Sequence, residues 1–134
     1  MTIFNDIESA FTNQLQTLND SPDVAWPNIN YKPKAGHVYL TCHMLPGRFN
    51  QASMGADGKD RQDGVFQITV FEPAGSGRST WPDLIAEHFK RGTTLSYNGT
   101  DVRIRAASIG PAGVDGAWYI IPVSINYQTY TEAR

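Results

Sequence analysis

Cysteine is nearly missing from this sequence: Cys42 is the single one in 134 residues. An intramolecular disulfide is therefore excluded, and a thiolate metal site would lack partners. An excess of charge of one sign is missing too. Eleven basic side chains stand against thirteen acidic ones, a net charge of −2. That balance argues against a dedicated nucleic-acid binder, whose affinity rests on neutralising phosphates. No apolar run approaches the ~20 residues that cross a bilayer as a helix. The opening MTIFNDIESAF has no basic region and carries acids at positions 6 and 8, so it does not read as a secretory signal. There is no internal repeat, low-complexity tract or linker. These absences fit one domain in a reducing cytoplasm.

What is present suffices for a core. Apolar residues make up 40% and charged residues 18% of the chain. A domain of this size buries roughly two-thirds of its unfolded surface. The clearest strand is 64–72, with Phe66, Ile68 and Val70 on one face and Val65, Gln67, Thr69 and Phe71 on the other. Before it, residues 48–63 show neither a helical nor a strand period. A connection of that length in a small domain points to a functional excursion. We read 46–63 as a long polar loop, or a β-arm that orders against a neighbour.

The remaining elements follow from spacing. Phe4, Ile7, Phe11, Leu15 and Leu18 form one apolar stripe, a helix over 3–19 with Thr2 as a cap. Residues 23–31 are extended. In 37–44, Val38, Leu40, Cys42 and Met44 alternate with His37, Tyr39, Thr41 and His43, which is a strand with one apolar face. Pro73 ends the strand 64–72, and residues 74–79, AGSGRS, form a flexible hinge. Thr80-Trp81-Pro82-Asp83 then starts a second helix, with Leu84, Ile85, His88 and Phe89 inward and Gly92 closing it. Asn98-Gly99 between 93–97 and 101–107 is a hairpin signal. There Val102, Ile104 and Ala106 are expected inward, Arg103 and Arg105 outward. Residues 108–116 read as a loop and 117–130 as the last strand, with Pro122 at an edge or a bulge. The expected fold is α+β: an antiparallel or mixed sheet of about six strands, two helices on one face, in the order α-β-β-β-α-β-β-β.

Chemistry is sparse. His37 and His43 share a strand face but lie six residues and roughly 20 Å apart, too far to share a metal. Cys42 falls on the apolar face, where an inert thiol is expected. The hinge Gly75-Ser76-Gly77-Arg78-Ser79 resembles a phosphate cradle only faintly, because the P-loop pattern requires glycine at position 72 and lysine at 78. Paired carboxylates for acid–base work are absent as a local motif. Arg103 and Arg105, with Lys90 and Arg91 nearby in sequence, suit either a solvated face or a subunit interface. Asp57, Asp60 and Asp63 are candidate partners for them. The candidate interface residues are Arg48, Asp57, Lys59, Asp60, Arg61, Arg103 and Arg105. No catalytic residue, metal ligand or cofactor is expected.

An ordered series of motifs covers nearly the whole chain. It begins with MTIFNDIESAF and Trp26-Pro27-Asn28. It continues with Gly55-x-x-Gly58-x-x-Arg61-x-x-Gly64-x-Phe66-Gln67-Ile68-x-Val70-Phe71, then Pro73-x-Gly75-x-Gly77. It closes with Phe89-Lys90-Arg91-Gly92-Thr93, Ile109-Gly110-Pro111 and Gly116-x-Trp118-Tyr119-x-Ile121-Pro122-Val123-Ser124-Ile125. The series resembles the tail terminator family of long-tailed bacteriophages, whose lambda-type relatives have an α+β fold.

The resemblance implies a structural virion protein rather than an enzyme. Its expected form is a hexameric ring of a siphovirus-type tail, assembled in the host cytoplasm. The ring would cap the tail tube, stop its polymerisation and join it to the head–tail connector or stopper. Genome DNA would pass through the channel without specific binding, and no membrane is involved. Two other readings remain open at this stage. One is another ring protein of the neck or tube. The other is a small enzyme or ligand-binding domain using the cleft near 75–80.

Overall fold

The computed structural model describes residues 3–18, 22–26, 30–34, 36–51, 59–75 and 80–132. They form helix α1 (Ile3–Gln16), strands β1 (Asp23–Ala25), β2 (Tyr39–Gln51) and β3 (Lys59–Pro73), helix α2 (Trp81–His88), and strands β4 (Thr94–Tyr97), β5 (Thr100–Ile109), β6 (Gly113–Asp115) and β7 (Trp118–Glu132). The sheet order is β1-β2-β3-β7-β5-β4, and β6 pairs alongside β7. β1 runs parallel to β2, and every other pair is antiparallel, so the sheet is mixed. This is the α+β sheet with two helices that the alternation predicts. It differs by one short strand, β6, inside the segment read as a loop.

Period-two patterning places the core. Leu40, Cys42, Phe66, Ile68, Val70, Val102, Ile104, Ile121, Val123, Ile125 and Tyr127 line one face of the sheet. Ile7, Phe11 and Leu15 of α1 and Ile85 of α2, with Phe89 just beyond it, are buried in the same cluster, so both helices cover that face. The Phe11 ring stacks on Phe66 at 4.6 Å and on Phe89 at 6.0 Å, and meets Tyr127 edge-on at 5.4 Å. Such pairs contribute about 0.5–1.5 kcal/mol each beyond the area they bury. On the opposite face, Tyr39 stacks on Phe71 at 4.7 Å and meets Trp118 edge-on at 5.1 Å.

Several expectations need correction. For 46–63 two readings stood, loop or β-arm, and residues 48–51 and 59–63 are strand: β2 and β3 continue as a hairpin arm, with Phe49 opposite Gln62 and Gln51 opposite Asp60. A run of mostly polar residues hides such an arm from a hydrophobic-period reading. Residues 52–58, the expected hinge residues 76–79 and the expected Thr2 cap lie outside the described residues. Thr80 sits at the N-cap of α2 but makes no side-chain cap hydrogen bond, and the helix ends at His88, before Gly92. Leu84 is 47% exposed, not inward.

Pro122 lies in the interior strand β7 rather than at an edge. Its carbonyl accepts from Gly110 N at 2.8 Å, on the side where β5 ends and β6 has not begun. A residue's N–H and C=O point to the same side of a strand. The donor that proline lacks would therefore face this break in the ladder.

Candidate subunit interface

One end of the sheet carries Arg61 and Asp63 of β3 and Arg103 and Arg105 of β5. Ile104 lies opposite Tyr127, and the next pair is Ala106 opposite Asn126. Arg105 is thus an extra residue, a β-bulge, which bends the strand and re-aims its side chain. Arg105 Nη1 donates to Gln128 Oε1 at 2.9 Å, and Gln128 Nε2 donates to Tyr130 Oη at 2.8 Å. This chain braces the guanidinium over the sheet. Arg103 is exposed and lies opposite Gln128. Val102 and Ile104 are buried as expected, but beyond the bulge Ala107, not Ala106, packs on the core.

Arg91 joins this group from the turn after α2. Gly92 N donates to Ile104 O at 3.0 Å and Ile104 N to Thr93 O at 2.8 Å, which pins the turn against β5. Arg91 and Arg105 border two adjoining clefts. One, about 280 Å³, also holds Arg103 and Gln128. The other, about 590 Å³ and open, also holds Asp63, Gly64, Asn126 and Tyr127.

The site residues expected from sequence are only partly assembled. Arg61, Arg103 and Arg105 belong to this end of the sheet. Arg61 Nε lies 3.4 Å from Asp63 Oδ2, so that carboxylate faces its own chain's arginine rather than Arg103 or Arg105. Arg48, Lys59 and Asp60 are placed by backbone in the arm, with Lys59 opposite Glu132 and Asp60 opposite Thr131. Asp57 lies outside the described residues. Gln128, Tyr130 and the Gly64–Tyr127 contact were not singled out from sequence. Alternation along β7 carried the signal for Gln128 and Tyr130. The contact is non-local and left none.

Gly64 and Tyr127 are opposite one another, and a Cβ on Gly64 would lie 2.6 Å from Tyr127 Cζ. The phenol oxygen is buried and has no hydrogen-bond partner, and neither has Asp63 Oδ1. Burial, reinforced by the Asp63 charge, pushes the Tyr127 pKa from 10.0 up to about 12. An unpartnered buried hydroxyl costs about 1–3 kcal/mol.

Both margins of the sheet are half covered. β1 pairs only with Tyr39–Thr41 of β2, and β4 only with Thr100–Arg103 of β5. Among the described residues no strand flanks β2 beyond Thr41 or β5 beyond Ile104. The free lengths lie at one level: Cys42 aligns through Ile68 and Val123 with Ile109, and Leu45 through Val65 and Asn126 with Ala106, while Ile104 is already bonded to Gly92 and Thr93. Because Gly110 N points to β7, alternation turns the N–H and C=O of Ala107 and Ile109 to the open margin.

Other candidate chemistry is structural in character. Cys42 is buried, and burial, then the Glu8 charge, raises its thiol from 9.0 to about 12, which disfavours the reactive thiolate. His88 Nε2 lies 2.7 Å from Gln14 O and 2.9 Å from Thr17 Oγ1, and Gln14 Nε2 donates to His88 O at 3.1 Å. These bonds clamp the end of α2 to the end of α1. A cleft of about 410 Å³ is lined by Asp23, Lys34, His37 and Trp81, among others. Its Asp23 is shared between Lys34, at 3.7 Å, and Tyr31 Oη, at 3.3 Å. Among the described residues no three His, Cys, Asp or Glu side chains group to hold a metal, and no helix is long and apolar enough to cross a membrane.

The model of the phage tail terminator protein family matches residues 6–127. The chain belongs to that family. A tail terminator is a structural protein of the phage tail, located in the virion and in contact with other tail and head components. The fold agrees with a solved structure that shares 25% identity, with a TM-score of 0.68 over 95% of this chain and 92% of the other. None of the curated proteins compared matches this chain.

Proposed function

We propose that this terminator closes into a ring that caps the tail tube, stops its growth and joins it to the head–tail connector. The two free margins at one level of the sheet carry this reading. β2 and β5 run in opposite directions, because three antiparallel pairings separate them. Rotation about an axis along the strands preserves direction. The β2 margin of one copy would therefore meet the β5 margin of the next in antiparallel pairing. Two different patches then join, which is the heterologous contact that closes a ring. Hexameric closure is the stoichiometry we propose. No step requires a catalytic group.

Mass photometry of the purified chain over a concentration series tests this reading. The expected result is one discrete species at six times the 14.8 kDa chain mass. Growth without limit would instead mark a tube subunit. A monomer at every concentration would reject both.

A further inference from the structure

We propose that the cleft between Arg91, Arg103 and Arg105 is a binding site for a phosphate group. Such a site goes beyond ring closure and does not depend on it. The backbone builds it. Gly92, with φ at 91°, turns the chain after α2, and its N–H donates to Ile104 O at 3.0 Å. Arg91 precedes that glycine, and Arg103 and Arg105 flank Ile104. One backbone contact therefore brings three arginines together. All three line a single cleft of about 280 Å³, whose other walls are Gly92, Ile104 and Gln128, so no acid lines it.

The charges of this cleft are not balanced within the chain. Among the described residues none of the three arginines has a carboxylate partner. Asp63, on the adjoining cleft, faces Arg61 at 3.4 Å. Asp101, two residues before Arg103, accepts from Ser96 Oγ at 2.6 Å. Like charges held side by side repel one another, and a bound anion relieves that repulsion. The chain as a whole carries −2 and offers anions no general attraction, so the attraction is local to this cleft. Arg105 is also set in place before a ligand arrives, by Gln128 at 2.9 Å, itself tied to Tyr130 at 2.8 Å. Preorganisation of this kind lowers the ordering cost of binding. All three arginines are exposed, so the ligand enters without any opening of the fold.

Donor chemistry selects the ligand. A carboxylate has two oxygens in one plane and a single charge, which one guanidinium fork can satisfy. Three guanidiniums supply more donors and more charge than that. A phosphate group presents three strong acceptor oxygens and close to two negative charges. Free phosphate and a nucleic-acid backbone share this chemistry.

The test is calorimetric titration of the full chain with inorganic phosphate, at ionic strength held constant with sodium chloride. Saturable binding of one phosphate per chain is expected. Arg91→Gln, Arg103→Gln and Arg105→Gln should each weaken it by about tenfold or more, the loss that follows removal of a charge-assisted hydrogen bond. Lys34→Gln, in the separate cleft beside Asp23, should leave it unchanged. Circular dichroism identical to wild type confirms that the variants fold. No saturable binding, binding indifferent to the three arginine substitutions, or equal weakening in Lys34→Gln overturns the proposal. Acetate that binds as tightly as phosphate marks a carboxylate cleft and overturns it too. Titration with a short DNA duplex separates the sources. Duplex binding that phosphate competes away and Arg105→Gln abolishes assigns the site to a nucleic-acid backbone. Phosphate binding without duplex binding assigns it to free phosphate. Either result upholds the proposal.

Discussion

A methyl group on Gly64 would collide with the ring of Tyr127, which is sealed on its other side by Phe11. A tightly packed interior tolerates added volume poorly. Gly64→Ala is therefore expected to lower stability by about 1–3 kcal/mol, measured as a shift of the urea midpoint. A midpoint equal to wild type would show that the ring moves freely. The buried acids at this scale also set a pH response. Cys42 and Tyr127 hold their protons more tightly folded than unfolded, with values raised from 9.0 and 10.0 to about 12. Their contribution is complete below pH 9 and falls as pH rises towards 12, because the unfolded chain releases these protons first. Urea midpoints should decline from pH 9 upwards, and less steeply in Tyr127→Phe. Identical slopes in the two proteins would contradict this. The burial of Cys42 was legible from alternation alone. The Gly64–Tyr127 contact was not, because the two residues are 63 positions apart and only the sheet register brings them together.

The elements themselves were read where one face is apolar and missed where neither is. β2 and β3 were found over their alternating halves, and β7 over nearly its whole length. The polar extensions of β2 and β3, within 46–63, were read as a loop or a β-arm because their sequence has no apolar period. The bulge at Arg105 was invisible because a single inserted residue changes register without changing composition. It moves Ala107 inward in place of Ala106 and aims Arg105 at Gln128. At this scale the decisive feature is the free margin of β5. Ile109→Pro removes an outward-facing N–H while its 45% exposed side chain leaves the core intact. The variant should fold as a monomer, with unchanged circular dichroism and no ring in mass photometry. Wild-type rings from it would exclude this margin as an interface.

For the whole molecule, the family was legible because its motifs are spread in order along the chain, and the family match spans residues 6–127. The interface was less legible. Residues such as Arg103 and Arg105 announce an exposed charged face, but the partner of an exposed charge is set by the assembly, not by local spacing. The central claim is that the β2 and β5 margins of adjacent copies pair to close the ring. Amide hydrogen exchange, comparing assembled rings with the Ile109→Pro monomer, tests it most directly. Segments 42–45 and 105–109 are both expected to become protected on assembly, while β3 stays equally protected in the two states. Rings that form with both margins exchanging as fast as in the monomer would contradict it.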